Sequence, residues 1–198
     1  MNDAVRQGYN KVADKYLEER DQFKNDKYLK KFNSLLSPES LILDIGCGAG
    51  KPVDKFFIQH GHRIIGIDIS EKQVELARQN VPQGLFKVED MSALKPGEYK
   101  VDAVISFYAI FHIDRETHFE LFKKIYSFLP TGGLIMVTMG SSSWEGSEED
   151  FHGGKMTWSH FGKEKNRQIV EAQSFKVLTD EIDENGNEKH QVIIAKKI

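Results

Sequence analysis

Three glycines, Gly46, Gly48 and Gly50, fall within five positions directly after the apolar run at 41–45 in LILDIGCGAGKPV. Backbone stripped of side chains lets a ligand come close, and nucleoside triphosphates, dinucleotides and sulfonium nucleosides all bind beside glycine-rich turns. A triphosphate loop needs a glycine where Ile45 stands and a magnesium-binding hydroxyl where Pro52 stands. The dinucleotide fingerprint fits Gly46 and Gly48, but its third site falls on Lys51, where close helix packing calls for Gly or Ala. The spacing here is G-x-G-x-G, with Asp44 before it and a helix start after it. That helix start offers unpaired N–H groups to a carboxylate as readily as to a phosphate. Asp44 either receives an ammonium group or orders the loop. An amino-acid-bearing ligand satisfies both features.

Two further carboxylates follow at strand ends. Asp68 closes RIIGIDI at the distance after a glycine turn expected of a carboxylate that accepts ribose hydroxyls. Asp90 and Met91 close the third run. Later in the chain, SFYAIFHIDRETH places Tyr108 and His112 four residues apart, on one face if that turn is helical. His112 titrates in the right range for a general base, and so does His160 in MTWSHF. Trp144 and Trp158 suit an apolar acceptor pocket or a shield for a cationic ligand. His118 and His152 read as surface residues. The acidic group Glu145, Glu148, Glu149 and Asp150 reads as a solvated face. No close His/Cys/carboxylate spacing marks a metal site.

The elements that must hold these residues follow from hydrophobic period. LILDI, RIIGIDI, GLFKV, VDAVISF and GLIMVTM are short, apolar and rich in β-branched residues, as strands covered on both faces are. Helical patterns separate most of them: Pro52 to His60 with Gly61 as a stop, Ser70 to Asn80 opening on a Ser-x-x-Gln capping box, and a helix marked by Phe119, Phe122, Tyr126 and Leu129. Val5, Tyr9, Val12 and Tyr16, then Tyr28, Phe32, Leu35 and Leu36, predict two amphipathic helices before Pro38. Alternation of strand and helix means an α/β fold with a doubly wound, mostly parallel sheet. FKVLTDEI and KHQVIIAKK flank an Asn-Gly, a hairpin signal, so the sheet is expected to end antiparallel. The expected division is one domain over 1–198: a helical cap at 1–38, a ligand-binding core at 39–140, a lid at 141–162, and a last helix and hairpin at 163–198. The lid lacks clear periodicity, and four interleaved aromatics suggest that it covers the site.

The composition fits a folded chain: 198 residues, 39% hydrophobic and 11% aromatic. The polar N-terminal sequence and single cysteine, Cys47, predict a soluble cytoplasmic protein without a disulfide. A net charge of −3 gives no general reason to bind nucleic acid, and no run is long enough for a membrane span.

In order along the chain, LDIGCGAG, GIDIS, VEDM, YKVDAVISFYAIFHI and FLPTGGLIMV resemble the motifs of the class I, Rossmann-like S-adenosylmethionine-dependent methyltransferases, small-molecule type. YNKVADKY resembles the cap helix that precedes this fold, which brings Tyr16 into the cofactor set. The resemblance implies a seven-stranded sheet and S-adenosylmethionine as methyl donor. It implies that Gly46, Cys47, Gly48 and Gly50 wrap the methionine portion and that Asp68 takes the ribose hydroxyls. Ile69 and Met91 would flank adenine, Asp90 would reach its amine, and Phe107 would lie near the sulfonium. Methyl transfer is an in-line displacement, needing mainly alignment, with a base only where the acceptor carries a proton. SFYA lacks the Asn/Asp-Pro-Pro-aromatic element of base-amino methylators, so a small-molecule acceptor is expected, with O, N or S open. Two rivals remain: an NAD-dependent oxidoreductase and a non-catalytic accessory protein that binds the cofactor.

Overall fold

The computed structural model describes residues 2–20, 26–151, 154–184 and 189–198; of residues 2, 14–20 and 26 only the backbone is described. The side chain of Tyr16 and all of His152 and the Asn185–Gly186 turn lie outside the described residues.

In chain order the elements are α1 (Asn2–Arg20), α2 (Asp26–Asn33), β1 (Leu41–Ile45), α3 (Val53–Gln59), β2 (Arg63–Asp68), α4 (Glu71–Asn80), β3 (Leu85–Val88), β4 (Ala103–Ser106), α5 (His118–Phe128), β5 (Leu134–Gly140), β6 (Trp144–Phe151), β7 (Gly154–His160), α6 (Lys163–Ala172), β8 (Phe175–Asp183) and β9 (His190–Lys197). Seven strands form one sheet in the order β3-β2-β1-β4-β5-β9-β8. All neighbours pair in parallel except β5 with β9 and β9 with β8. The strand order reverses between β1 and β4, and beyond the carboxyl ends of those strands lies the usual ligand crevice of such sheets.

Each central strand is apolar on both faces, and the alternation divides the core in two. Ile42, Ile105, Met136 and Ile194 face α2, α3 and α4 with Phe32, Phe57 and Val74. Leu43, Val104, Ile135 and Ile193 face α5 and α6 with Phe122, Ile125 and Ile169. A period of two residues accounts for this division. Asp102 does not serve its own strand; its Oδ2 accepts from the N–H of Leu41 at 2.8 Å and fixes the start of β1.

The segment expected as an aperiodic lid is an antiparallel hairpin, with Trp144 opposite His160 and Gly146 opposite Trp158. β6 is largely exposed and acidic, so it lacks the apolar alternation that announces a strand. β7 packs on α1: Gly8 lies so close that a Cβ there would stand 2.6 Å from the carbonyl oxygen of Lys155. The other side of α1 binds the start of α4, where the Ser70 hydroxyl and the Lys72 N–H both donate to Asn10 Oδ1, at 2.6 and 3.2 Å. Arg6 pairs with Glu71 on the same turn.

His118, expected at the surface, is completely buried at the start of α5, edge-on to Phe161 at 6.2 Å. Burial lowers its pKa to about 4, so the ring is neutral in the folded protein. A folded pKa below the unfolded value makes this group destabilising as pH falls from about 6.5 toward 4. Among the described residues no helix is long and apolar enough to cross a membrane.

Candidate active site

The turn after β1 is held by its own backbone. The N–H groups of Gly46 and Cys47 both donate to the Ile67 carbonyl, at 2.8 and 3.0 Å, which fastens β1's end to β2's. Gly46, Gly48 and Gly50 have φ of 80, 53 and 76°, where a side chain is strained. Asp68, at the end of β2, accepts from the N–H of Gly48 at 3.0 Å and of Ser70 at 2.8 Å. A cleft of about 910 Å³, counted with its opening to solvent, extends from this turn. Asp44, Gly46, Cys47, Gly48, Asp68, Ile69, Asp90, Met91 and Phe107 line it, joined by Val5 and Tyr9 from α1. Gly50 stands apart from the cleft. A Cβ there would meet Val81 at 3.0 Å and Ala77 at 3.4 Å, so its bareness serves the packing of α4.

Two buried carboxyls lie behind the turn. Asp44 is 2% exposed and Asp54, in the first turn of α3, is 0% exposed. Burial, followed by the charge of the neighbouring Asp44, holds the Asp54 pKa well above the carboxylate range. Asp54 therefore keeps its proton, and Asp44 lines the cleft. Burial also raises the Cys47 thiol, with the nearby carboxylates adding to the effect, so it stays un-ionised. Asp90 Oδ1 accepts from the N–H and hydroxyl of Ser92, at 2.8 and 2.7 Å, and turns the chain at the end of β3.

A second chamber opens beside the first. Among the described residues Tyr9, Tyr108 and His112 line both cavities. Tyr108 and His112 do not share a helical face as expected: Tyr108 has a φ of 56°, and only a single turn, Ile110–His112, follows it. Tyr108 instead sets its ring edge-on to His190, at 4.8 Å. His112 Nδ1 lies 2.8 Å from the Thr157 carbonyl, and its Nε2 lies 2.8 Å from the Tyr9 hydroxyl. A carbonyl only accepts, so Nδ1 carries the proton and Nε2 receives the Tyr9 O–H. His160 is away from the junction; its Nδ1 donates to the Ser142 carbonyl at 2.7 Å over the bare Gly140. The rings around this chamber touch in a closed circuit: Tyr9 to Phe151, Trp158, Trp144, His160, Phe111 and His112, then back to Tyr9. On the outer surface of β6, Glu145 pairs with Arg115 and Glu149 with Lys155, as an exposed acidic strand does.

The model of a methyltransferase domain family matches residues 42–133, the stretch that builds the glycine turn, Asp68, Asp90 and β4. Residues 42–133 are thus a methyltransferase domain, on the fold of the class I S-adenosylmethionine-dependent methyltransferases. A putative methyltransferase, YqeM of Bacillus subtilis, is 23% identical over 94% of this chain and 79% of its own length. Phosphoethanolamine N-methyltransferase of Plasmodium falciparum is 30% identical over 59% of this chain, which spans only 45% of that protein. A methyltransferase structure from Methanosarcina mazei shares the fold with a TM-score of 0.74 at 20% identity, over 85% of this chain and 97% of that one.

The cleft of this methyltransferase fits the methyl donor. Beside Gly48 a Cβ would meet nothing nearer than Gln73 Oε1 at 3.7 Å, so the turn leaves a cradle that a side chain would fill. Asp68 supplies an acceptor for hydroxyls, and Ile69, Met91 and Phe107 supply apolar walls. Among the described residues no group of three or more His, Cys, Asp or Glu is placed to hold a metal ion. Tyr9, Asp54 and Gln73 were not marked by sequence as site residues. Only Gln73 carried a local signal, and that signal was for helix capping.

The charge state of Asp68 makes a test. Packing around its carboxyl raises the pKa to about 6, against the opposing donation from Ser70 and Gly48. A folded value above the unfolded one near 3.9 makes the group increasingly unfavourable to the ligand-free fold as pH climbs from about 4 to 6. Hydroxyl donors prefer the ionised form, so S-adenosylhomocysteine should bind fully above pH 6 and up to about tenfold more weakly per unit below it. Calorimetry on Asp68→Asn should show affinity about 1.5–3 kcal/mol weaker and nearly flat over the same range. A pH dependence unchanged in Asp68→Asn would remove Asp68 from the hydroxyl site.

Proposed function

We propose that this methyltransferase moves a methyl group from S-adenosylmethionine to a small-molecule nucleophile bound in the aromatic chamber. One observation carries the reading: the donor cleft and the chamber share Tyr9, Tyr108 and His112, so an acceptor in one meets a donor in the other at those side chains. Bound in the cleft, the donor supplies an electrophilic methyl on a sulfonium, and its sulfur leaves as a neutral thioether.

Everything else falls to the protein. Gly46 and Gly48 admit the amino-acid portion, and Asp44 is the acceptor for its ammonium. Asp68 takes the ribose, Ile69 and Met91 flank the base, Asp90 reaches the base amine, and Phe107 with the ring circuit keeps water from the reacting atoms. Where the acceptor atom carries a proton, Tyr9 oxygen receives it as the Tyr9 proton moves to His112 Nε2. The Thr157 carbonyl holds the imidazole for that role. His160 and Tyr108 shape the acceptor's place. The reading takes the protein as cytoplasmic and without a nucleic-acid partner, in keeping with its net charge of −3 and single cysteine.

The hairpin β6–β7 forms walls of an open chamber and does not fill it, which supports an enzyme over an accessory binding protein. Incubation of a metabolite pool with methyl-labelled S-adenosylmethionine, followed by mass identification, should yield a labelled small molecule that depends on the protein. Tight NADH binding without S-adenosylhomocysteine binding in calorimetry would overturn the reading in favour of an oxidoreductase.

A further inference from the structure

Gln73 sits in the first turn of α4, where Ser-x-x-Gln calls for reciprocal capping. The protein uses half of that arrangement. Ser70 Oγ accepts from the Gln73 N–H at 3.1 Å, but the Ser70 N–H donates to Asp68 Oδ1 at 2.8 Å. The bond that the Gln73 side chain would have returned is thereby displaced. The side chain is 1% exposed and lines the donor cleft. Neither Oε1 nor Nε2 has a hydrogen-bond partner among the described residues. Fully buried amides are almost always paired, so an orphan facing a cavity points to a ligand.

The position narrows the ligand group. Gln73 Oε1 lies 3.7 Å from where a Gly48 Cβ would be, and the Gly48 N–H donates to Asp68 Oδ2 at 3.0 Å. The amide and the carboxylate therefore both neighbour Gly48 and line the same cleft. An ionised carboxylate only accepts, so it serves hydroxyl protons and leaves the hydroxyl oxygens without a donor. We propose that Gln73 is a cofactor-binding residue that completes a clamp on the vicinal diol of the nucleoside, Asp68 accepting from the hydroxyls and Gln73 Nε2 donating to one of them. This rests on the reading of the cleft as the S-adenosylmethionine site.

Calorimetric titration of the wild type, Gln73→Leu and Gln73→Met tests it, with S-adenosylhomocysteine and 5′-deoxy-5′-methylthioadenosine as probes. The second probe keeps the diol and lacks the amino acid. Both variants should bind both probes about tenfold more weakly, by a similar factor. Thermal unfolding of the ligand-free variants should rise by a few degrees, because an unpaired amide becomes apolar, whereas a merely structural amide would lower it when removed. Unchanged affinities, a loss confined to S-adenosylhomocysteine, or lowered ligand-free stability in both variants would each overturn the clamp. A wild-type protein that binds neither probe would instead overturn the reading of the cleft.

Discussion

Turnover by His112→Ala is expected to fall by about 10²–10⁴-fold for an acceptor whose attacking atom carries a proton, with S-adenosylhomocysteine affinity nearly intact. Tyr9→Phe removes a single oxygen and should bring a loss of the same order. The two act in series, since the Tyr9 O–H donates to His112 Nε2 at 2.8 Å. The double variant should therefore be little worse than the poorer single one. Single-turnover rates of labelled product formation decide the matter. Losses that multiply, or turnover unaltered in Tyr9→Phe, would end the proton-relay account. His112 also ties the turn after β4 to β7 through the Thr157 carbonyl, so the melting temperature of each variant belongs beside its rate. Tyr9→Phe leaves that tie in place and is the cleaner probe.

Gly46→Ala should be severely damaging, costing about 2–5 kcal/mol of stability. The residue's φ of 80° strains any side chain. A Cβ there would also stand 2.2 Å from Ala109 Cβ. Both carbons are fixed to backbone, so no rotamer relieves the contact. Because a domain is typically stable by about 5–15 kcal/mol, the loss is a large share of the total. Gly61→Ala is the control, since its φ is 83° and nothing lies within 4 Å of its would-be Cβ. Urea unfolding should show about 1 kcal/mol for Gly61→Ala and the excess for Gly46→Ala. Equal losses would mean that the backbone at Ala109 yields and that the close approach does not constrain the turn.

The sheet was legible in the sequence because its strands are covered on both faces. Leu43, Val104 and Ile135 on one side and Ile42, Ile105 and Met136 on the other make near-continuous apolar runs that helices do not need. The donor cleft was legible because its parts are local: a glycine turn and carboxylates at strand ends. The junction of the two cavities was not. Tyr9 shares a helical period with buried Val5 and Val12, yet it is half-buried and meets a histidine 103 positions away. β6 escaped notice because an acidic, solvent-facing strand has no apolar alternation to show. His118 escaped because nothing local says that a histidine at a helix start turns inward. Asp54 was hidden for the same reason, its neighbour Asp44 lying on a different element. Gly50, grouped with its neighbours by spacing, answers to α4.

The meeting of two cavities, among the described residues, at Tyr9, Tyr108 and His112 alone has an evolutionary consequence. The donor side is written in the glycine turn and the ends of β2 and β3. The second chamber is lined in large part by the β6–β7 hairpin and the start of β9. The two inheritances are separate in sequence and meet at the shared side chains and at the Thr157 carbonyl that holds His112. On the proposed reading, a lineage can therefore change the molecule it modifies through the hairpin while its methyl supply continues.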